Sequence, residues 1–279
     1  MVPRVSAWKA TLVGGLLLWL YYPVVVRLVL QWWHDPNFSH GFFVPIFSGY
    51  VLWLNRRNLR NLPSSPSWYG VVILLAGLSL LILGSLGAEL FLSRFSILLV
   101  SAGLVISFLG WSFQRRILFP WMILLLMIPI PAIIFNQITF PLQLIASKAA
   151  TATLQLIGIP ALRDGNVIQI PAMALEVAEA CSGIRSLLSL TTLTIIYGYL
   201  METSVGMRVG LALASVPIAI FANSLRIVGT GLTVQYWDPN RAEGFFHAFS
   251  GWLIFVVSLS MLFALHKILR TLWPRKVVA

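Results

Sequence analysis

The chain has 279 residues, of which 59% are apolar and only 10% charged, and its mean hydropathy of +0.90 lies far above that of soluble domains; this is the composition of an integral membrane protein. The net charge of +11 does not point to nucleic acid, because the basic residues come in short clusters between apolar runs and no solvated basic domain exists to hold a phosphate backbone. A single cysteine excludes an internal disulfide, and no Cys/His spacing of the zinc type occurs, so neither a metal nor any other cofactor is expected.

A membrane-crossing helix needs about 20 apolar residues, within a range of roughly 17 to 25. Eight stretches qualify: 10–30, 38–54, 69–88, 95–113, 117–135, 184–201, 209–232 and 249–266. The first follows Arg4 and Lys9 and resembles a signal peptide, but its length and the lack of a small-residue cleavage site make it a retained span. Residues 137–159 are long enough for a ninth span, which would put the basic C-terminal tail outside; an interfacial or re-entrant helix is predicted instead. In the following RDGNVIQIPAMALEVAEA, residues 163–180, Asp164-Gly165 and Pro171 punctuate short β-favouring stretches and predict an extracytoplasmic hairpin or extended loop. The expected architecture is an all-α polytopic membrane protein forming a single transmembrane domain over 1–279, with an extracytoplasmic loop region at about 136–183.

Twelve basic residues, in clusters at Arg4 and Lys9, Arg56 to Arg60, Arg115 and Arg116, Arg208, and Lys267 to Lys276, fall on one side if the N-terminus is cytoplasmic and eight spans alternate. Seven of the eight acids fall on the other side, and only Glu202 is inside. Both termini are therefore expected in the cytoplasm.

This topology assigns a depth to the polar residues. Cys181 precedes the sixth span at its outer end, with Ser182 a plausible N-cap and Gly183 allowing close backbone approach. A thiol there feels the positive end of the helix dipole, which favours thiolate. Arg226 lies in the seventh span, six residues before its outer end and so about 9 Å deep by helical rise. Asn223, three residues earlier, shares its face. His247 opens the eighth span and His40 the second, both at the outer level. Arg185, four residues after Cys181, raises the thiolate population, binds a substrate carboxylate, or simply anchors the helix at the interface. Glu179 orients His247 or Arg226, or is a solvated loop acid. Thiol, cation and imidazole at one level suit acyl transfer: the thiolate attacks a carbonyl, the cation stabilises the oxyanion, and the histidine moves protons.

The blocks EACSGIRS (179–186), NSLRI (223–227) and FFH (245–247), with the early DPNFSHG (35–41), resemble the signature motifs of the exosortase/archaeosortase family, in the right order and over most of the chain. The resemblance implies a membrane-embedded cysteine transpeptidase of the bacterial inner membrane, multi-pass, with its site facing outward. It would act on membrane-anchored proteins that carry a C-terminal sorting signal, typically a Pro-Glu-Pro-like motif, a transmembrane helix and a basic tail. Lipids of the membrane are the other expected partners, and nucleic acid is not one. By the same resemblance Cys181 is the nucleophile, Arg226 the oxyanion or substrate-orienting cation, and His247 the general acid/base; Asn223, Ser182, Arg185, His40 and Glu179 support the site or bind substrate.

Two other classes compete. A rhomboid-like serine protease would use Ser182, but Ala180 stands where a G-x-S-G motif needs glycine. A transporter would line a polar path with Arg226, Asn223 and His40, yet these gather at one leaflet with no acid inside the spans. No HExxH helix supports a metalloprotease.

Overall fold

The computed structural model describes residues 7–177, 184–236 and 245–273, with the backbone alone at positions 7, 9, 10 and 245–248. It divides into two compact units, Met1–Pro131 and Ala132–Ala279.

In the first unit, helix α1 (Ala7–His34) is followed by a 3-10 helix (Pro36–Phe42), α2 (Phe43–Leu54), α3 (Arg56–Arg60), α4 (Trp68–Leu86), α5 (Leu90–Phe108), α6 (Trp111–Arg116), α7 (Leu118–Met122) and a second 3-10 helix (Ile123–Met127). Asp35 opens the first 3-10 helix by accepting from the Asn37 amide, with Pro36 supplying the fixed φ of an N-terminal position. Helices α4 and α5 form a tight antiparallel pair. Gly70, Gly77 and Gly84 recur every seventh residue along α4 and face Ser107, Val100 and Ser93 of α5; a Cβ at Gly77 would stand 2.8 Å from Val100 Cγ2, and one at Gly84 2.6 Å from the Ser93 amide nitrogen. In lipid, where apolar surface gives no drive to associate, such close backbone approach is what holds helices together. Helix α1 joins through Tyr21, Val24 and Val100, and the Tyr21 hydroxyl meets Ser96 Oγ at 2.9 Å.

The predicted fifth span, 117–135, is broken into α7, the 3-10 helix and the Pro129–Pro131 segment. A break at membrane depth exposes carbonyls that no water can satisfy, so other groups must bond them. Three side chains do so: Ser48 Oγ donates to the Pro120 carbonyl at 2.6 Å, Trp32 Nε1 to that of Met127 at 2.8 Å, and His40 Nε2 to that of Leu126 at 3.1 Å. Trp32 is thus buried, whereas Trp33 and Trp252 are exposed.

The second unit starts with α8 (Ala132–Leu156), a continuous helix of 25 residues containing Pro141. A meander of β1 (Leu162–Asp164), β2 (Val167–Gln169) and β3 (Ala174–Glu176) follows, antiparallel throughout, with Arg163 opposite Ile168 and Ile168 opposite Leu175. The predicted hairpin is present with one strand more. Then come α9 (Ile184–Met201), α10 (Val205–Tyr236) and α11 (Phe245–Leu272). Ile168, Ile170 and Val177 pack with Ala150 and Leu154 of α8 and with Ile227 and Val228 of α10, fixing the meander to one end of the helices. Leu190, Leu211, Ile218 and Leu262 join α9, α10 and α11 nearer the other end.

The protein is thus an all-α polytopic membrane protein with a small sheet insert. Among the described residues six helices are long and apolar enough to cross a bilayer, or seven if α7 through α8 count as one broken span, against the eight expected. The shortfall lies at α2, whose α-helical part is only 12 residues, and at the broken fifth span.

Candidate functional site

Helix α10 runs to Tyr236, four residues past its predicted end, so Arg226 lies ten residues from that end, about 15 Å along the axis rather than 9. A guanidinium that far along an apolar helix needs partners. One is Ser250 of α11, whose Oγ accepts from Arg226 Nε at 3.2 Å. The next residue, Gly251, clears the space: a Cβ there would stand 3.8 Å from both Cζ and Nη2, so a glycine or alanine fits and a longer side chain would displace the guanidinium. Asn223, one turn before Arg226, is 2% exposed on the buried face of α10. Three residues apart on one continuous helix, Asn223 and Arg226 share a face of α10.

His247 occupies the third position of α11, three residues before Ser250 and four before Gly251. Positions i, i+3 and i+4 share a helix face. The backbone register of α11 thus puts position 247 on the face that carries the Arg226 contact. Cys181, Ser182 and Glu179 fall outside the described residues. The segment that carries them, 178–183, leaves from Val177 and enters Ile184, both buried. Val177 is held in place: its amide donates to the Asn166 carbonyl at 2.9 Å, and its side chain belongs to the same buried cluster as Ile227, the neighbour of Arg226 in sequence. Arg185, the second residue of α9, is exposed.

His40 has an observed task. A carbonyl only accepts, so its bond to Leu126 makes Nε2 the protonated nitrogen; Nδ1 is buried, and the backbone of Asn37 also acts on the ring. It belongs to the first unit, and Arg226 and position 247 to the second.

The far end of α10 carries a second polar cluster, whose Glu202, Arg208 and Arg270 the sequence marks as cytoplasmic without indicating that they meet. Glu202, 4% exposed, accepts at Oε1 from His266 Nε2 and Arg270 Nε, each at 2.7 Å, while the Tyr197 hydroxyl lies 2.6 Å from His266 Nδ1. Arg208 Nε donates to the Glu202 carbonyl at 2.7 Å. Residues 208 and 226 are separated by about 27 Å of helix, close to the ~30 Å thickness of the hydrocarbon core. The apolar layer of Leu211, Ile218 and Leu262 lies between, so the two clusters fit opposite faces of one membrane. Among the described residues no group of His, Cys, Asp and Glu is arranged to hold a metal ion.

Ser250 is the residue that sequence reading missed. Its only signal was its spacing from His247, since serine is common in membrane helices; Ser258 and Ser260 of the same helix bond their own i−4 carbonyls.

Comparison with known proteins finds one family, and no curated protein and no solved structure matches. Residues 32–264 match the model of the transmembrane exosortases, a span that includes every site residue expected from sequence, from His40 to His247. The chain belongs to the transmembrane exosortase family, membrane transpeptidases that act in protein sorting.

Proposed function

We propose that the protein cleaves a C-terminal sorting signal from exported, membrane-anchored proteins, with Cys181 as nucleophile. The thiolate Sγ bonds to the carbonyl carbon of the scissile peptide, and the carbonyl electrons move onto oxygen beside the Arg226 guanidinium. Collapse of this intermediate breaks the C–N bond, and the leaving amine takes a proton from His247. Water or an acceptor amine, deprotonated by the same imidazole, then attacks the thioester and releases the thiolate. Asn223 and Arg185 orient the site or the substrate, Ser182 caps α9, and Glu179 and His40 support it. One transmembrane domain over 1–279 is assigned to the inner membrane, with the cysteine facing outward and a Pro-Glu-Pro-like motif, helix and basic tail as the signal.

The observation that carries this reading is the Arg226–Ser250 contact, which ties the NSLRI block of α10 to the face of α11 on which position 247 falls. Val177, four residues before Cys181 in sequence, is packed in the same cluster as Ile227, the neighbour of Arg226 in sequence. The apolar layer between the two polar clusters speaks against a transport path.

The test is co-expression with a protein bearing such a signal. Cys181→Ala is expected to abolish cleavage and Ser182→Ala to retain most of it. Cleavage by Cys181→Ala at the wild-type rate would eliminate the thiol mechanism, and loss confined to Ser182→Ala would establish the serine-protease alternative.

A further inference from the structure

The first unit contains a buried cation that the cleavage chemistry does not use. Arg94 is the fifth residue of α5 and only 3% exposed. It donates no hydrogen bond to any described residue, and its Nε is enclosed without an acceptor. Glu89, the carboxylate at the head of the same helix, instead accepts from the Phe91 amide. The charge that acts on Arg94 from α1 is that of Arg27, which has the same sign and whose own Nε donates to the Pro23 carbonyl. A guanidinium does not lose its proton in a protein. Burying it without an anion is among the least favourable arrangements a fold can adopt. No described residue offsets this charge, so a bound anion beside it would be strongly stabilising.

The surroundings say what form that anion takes. On α5, Ile97 and Ser101 follow Arg94 at i+3 and i+7, on one face of the helix. Both line an open groove of about 480 Å³ between α5 and α1, whose other wall includes Leu18, Tyr22 and Val25. The groove is almost wholly apolar and lies between two membrane-crossing helices. Arg94 is not itself a lining residue but lies one helical turn before Ile97, and a cation that close to an apolar slot complements a molecule with a negative head and a hydrocarbon tail. Arginine is the side chain best shaped to bind phosphate oxygens in pairs.

We propose that Arg94 and the α1–α5 groove bind one anionic phospholipid, with its phosphate against the guanidinium and an acyl chain along Ile97, Ser101, Leu18 and Val25. The site lies within one unit and does not depend on the cleavage reaction.

The experiment uses the purified full chain in detergent, titrated with dioleoyl phosphatidylglycerol. Native mass spectrometry reads the number of bound lipids, and thermal unfolding reads the protection they give. One retained phosphatidylglycerol per chain and a raised Tm are expected, whereas inorganic phosphate at equal concentration gives neither. Arg94→Gln should weaken lipid binding roughly tenfold or more, as loss of charge-assisted bonds implies. Val25→Trp, which fills the exposed wall of the groove, should weaken it while leaving Arg94 in place. Binding unchanged in Arg94→Gln overturns the proposal, as does protection by inorganic phosphate equal to that by lipid. Should Arg94→Gln not fold, unchanged lipid retention by Val25→Trp overturns it alone.

Discussion

At the scale of single residues, an arginine inside an apolar helix is informative because its cost demands a partner, and that demand is visible in sequence. Arg226 and Asn223 were legible for this reason, and the partner was not. Ser250 is one hydroxyl in a helix rich in them, and only three-dimensional contact distinguishes it from serines that bond their own backbone. Its bond to a charged donor is worth about 1.5 kcal/mol, at the lower end for such pairs given its length. Ser250→Ala is therefore expected to slow signal cleavage roughly tenfold, and Ser250→Thr to restore most of the rate. A loss of equal size in both variants would show that the hydroxyl is not what matters. Gly251→Leu should be the more severe change, because it displaces the guanidinium rather than removing one acceptor. Cleavage rate at saturating substrate, with melting temperature as control for folding, decides each case.

At the scale of elements, legibility followed continuity of the apolar run. Helices α4, α9 and α11 appear within a few residues of the predicted spans because nothing interrupts them. The segment from 117 to 159 was misjudged in its joints. Pro129 and Pro131 end the 3-10 helix early, and α8 then starts at Ala132, before the predicted residue 137 and without a stop at Pro141. A broken span is illegible in sequence because the side chains that satisfy its carbonyls, Ser48, Trp32 and His40, come from 70 or more residues away. The glycine stripe of α4 has a consequence that propensity would reverse. Glycine in a helix is ordinarily about 1 kcal/mol worse than alanine, and Gly14 of α1, with nothing near its missing Cβ, should follow that rule on Gly14→Ala. Gly84→Ala should instead destabilise by about 1 to 3 kcal/mol, the range for overpacking, because its Cβ meets the backbone of Ser93, which cannot swing aside. Thermal unfolding of the two variants in the same detergent checks the sign: a Tm that rises in both would mean that α4 and α5 do not approach this closely.

For the whole molecule, the question is how many times the chain crosses the membrane, since this decides which face carries the cysteine. Charge alone argues for an even number of crossings between the N-terminus and Arg56, and again between Arg60 and the basic C-terminal segment. Helix α1 crosses by length, so the segment from Pro36 to Leu54 must cross back if Arg56, Arg57 and Arg60 are to lie with Arg4 and Lys9. Its α-helical part is too short by itself. Laid end to end with the preceding 3-10 helix, whose rise per residue is larger, it reaches about 32 Å, enough for the hydrocarbon core. In the second unit, the Arg226 cluster and the Glu202–His266–Arg270 cluster mark the two ends of one crossing of α10, and the meander packs at the Arg226 end. The charge pattern with eight alternating crossings therefore predicts Asn61, just after α3, on the cytoplasmic face and Arg163, in β1, on the other. Both positions are exposed, and with Cys181 replaced by alanine each can carry the only thiol in the chain. A membrane-impermeant maleimide applied to spheroplasts should label Arg163→Cys at once and Asn61→Cys only after permeabilisation. Equal labelling of both from outside would mean that the Pro36–Leu54 segment turns back without crossing, which would leave the Arg56–Arg60 cluster outside. The reverse pattern would put the Cys181 end of the second unit in the cytoplasm, where a substrate still awaiting export could meet it but an exported one could not.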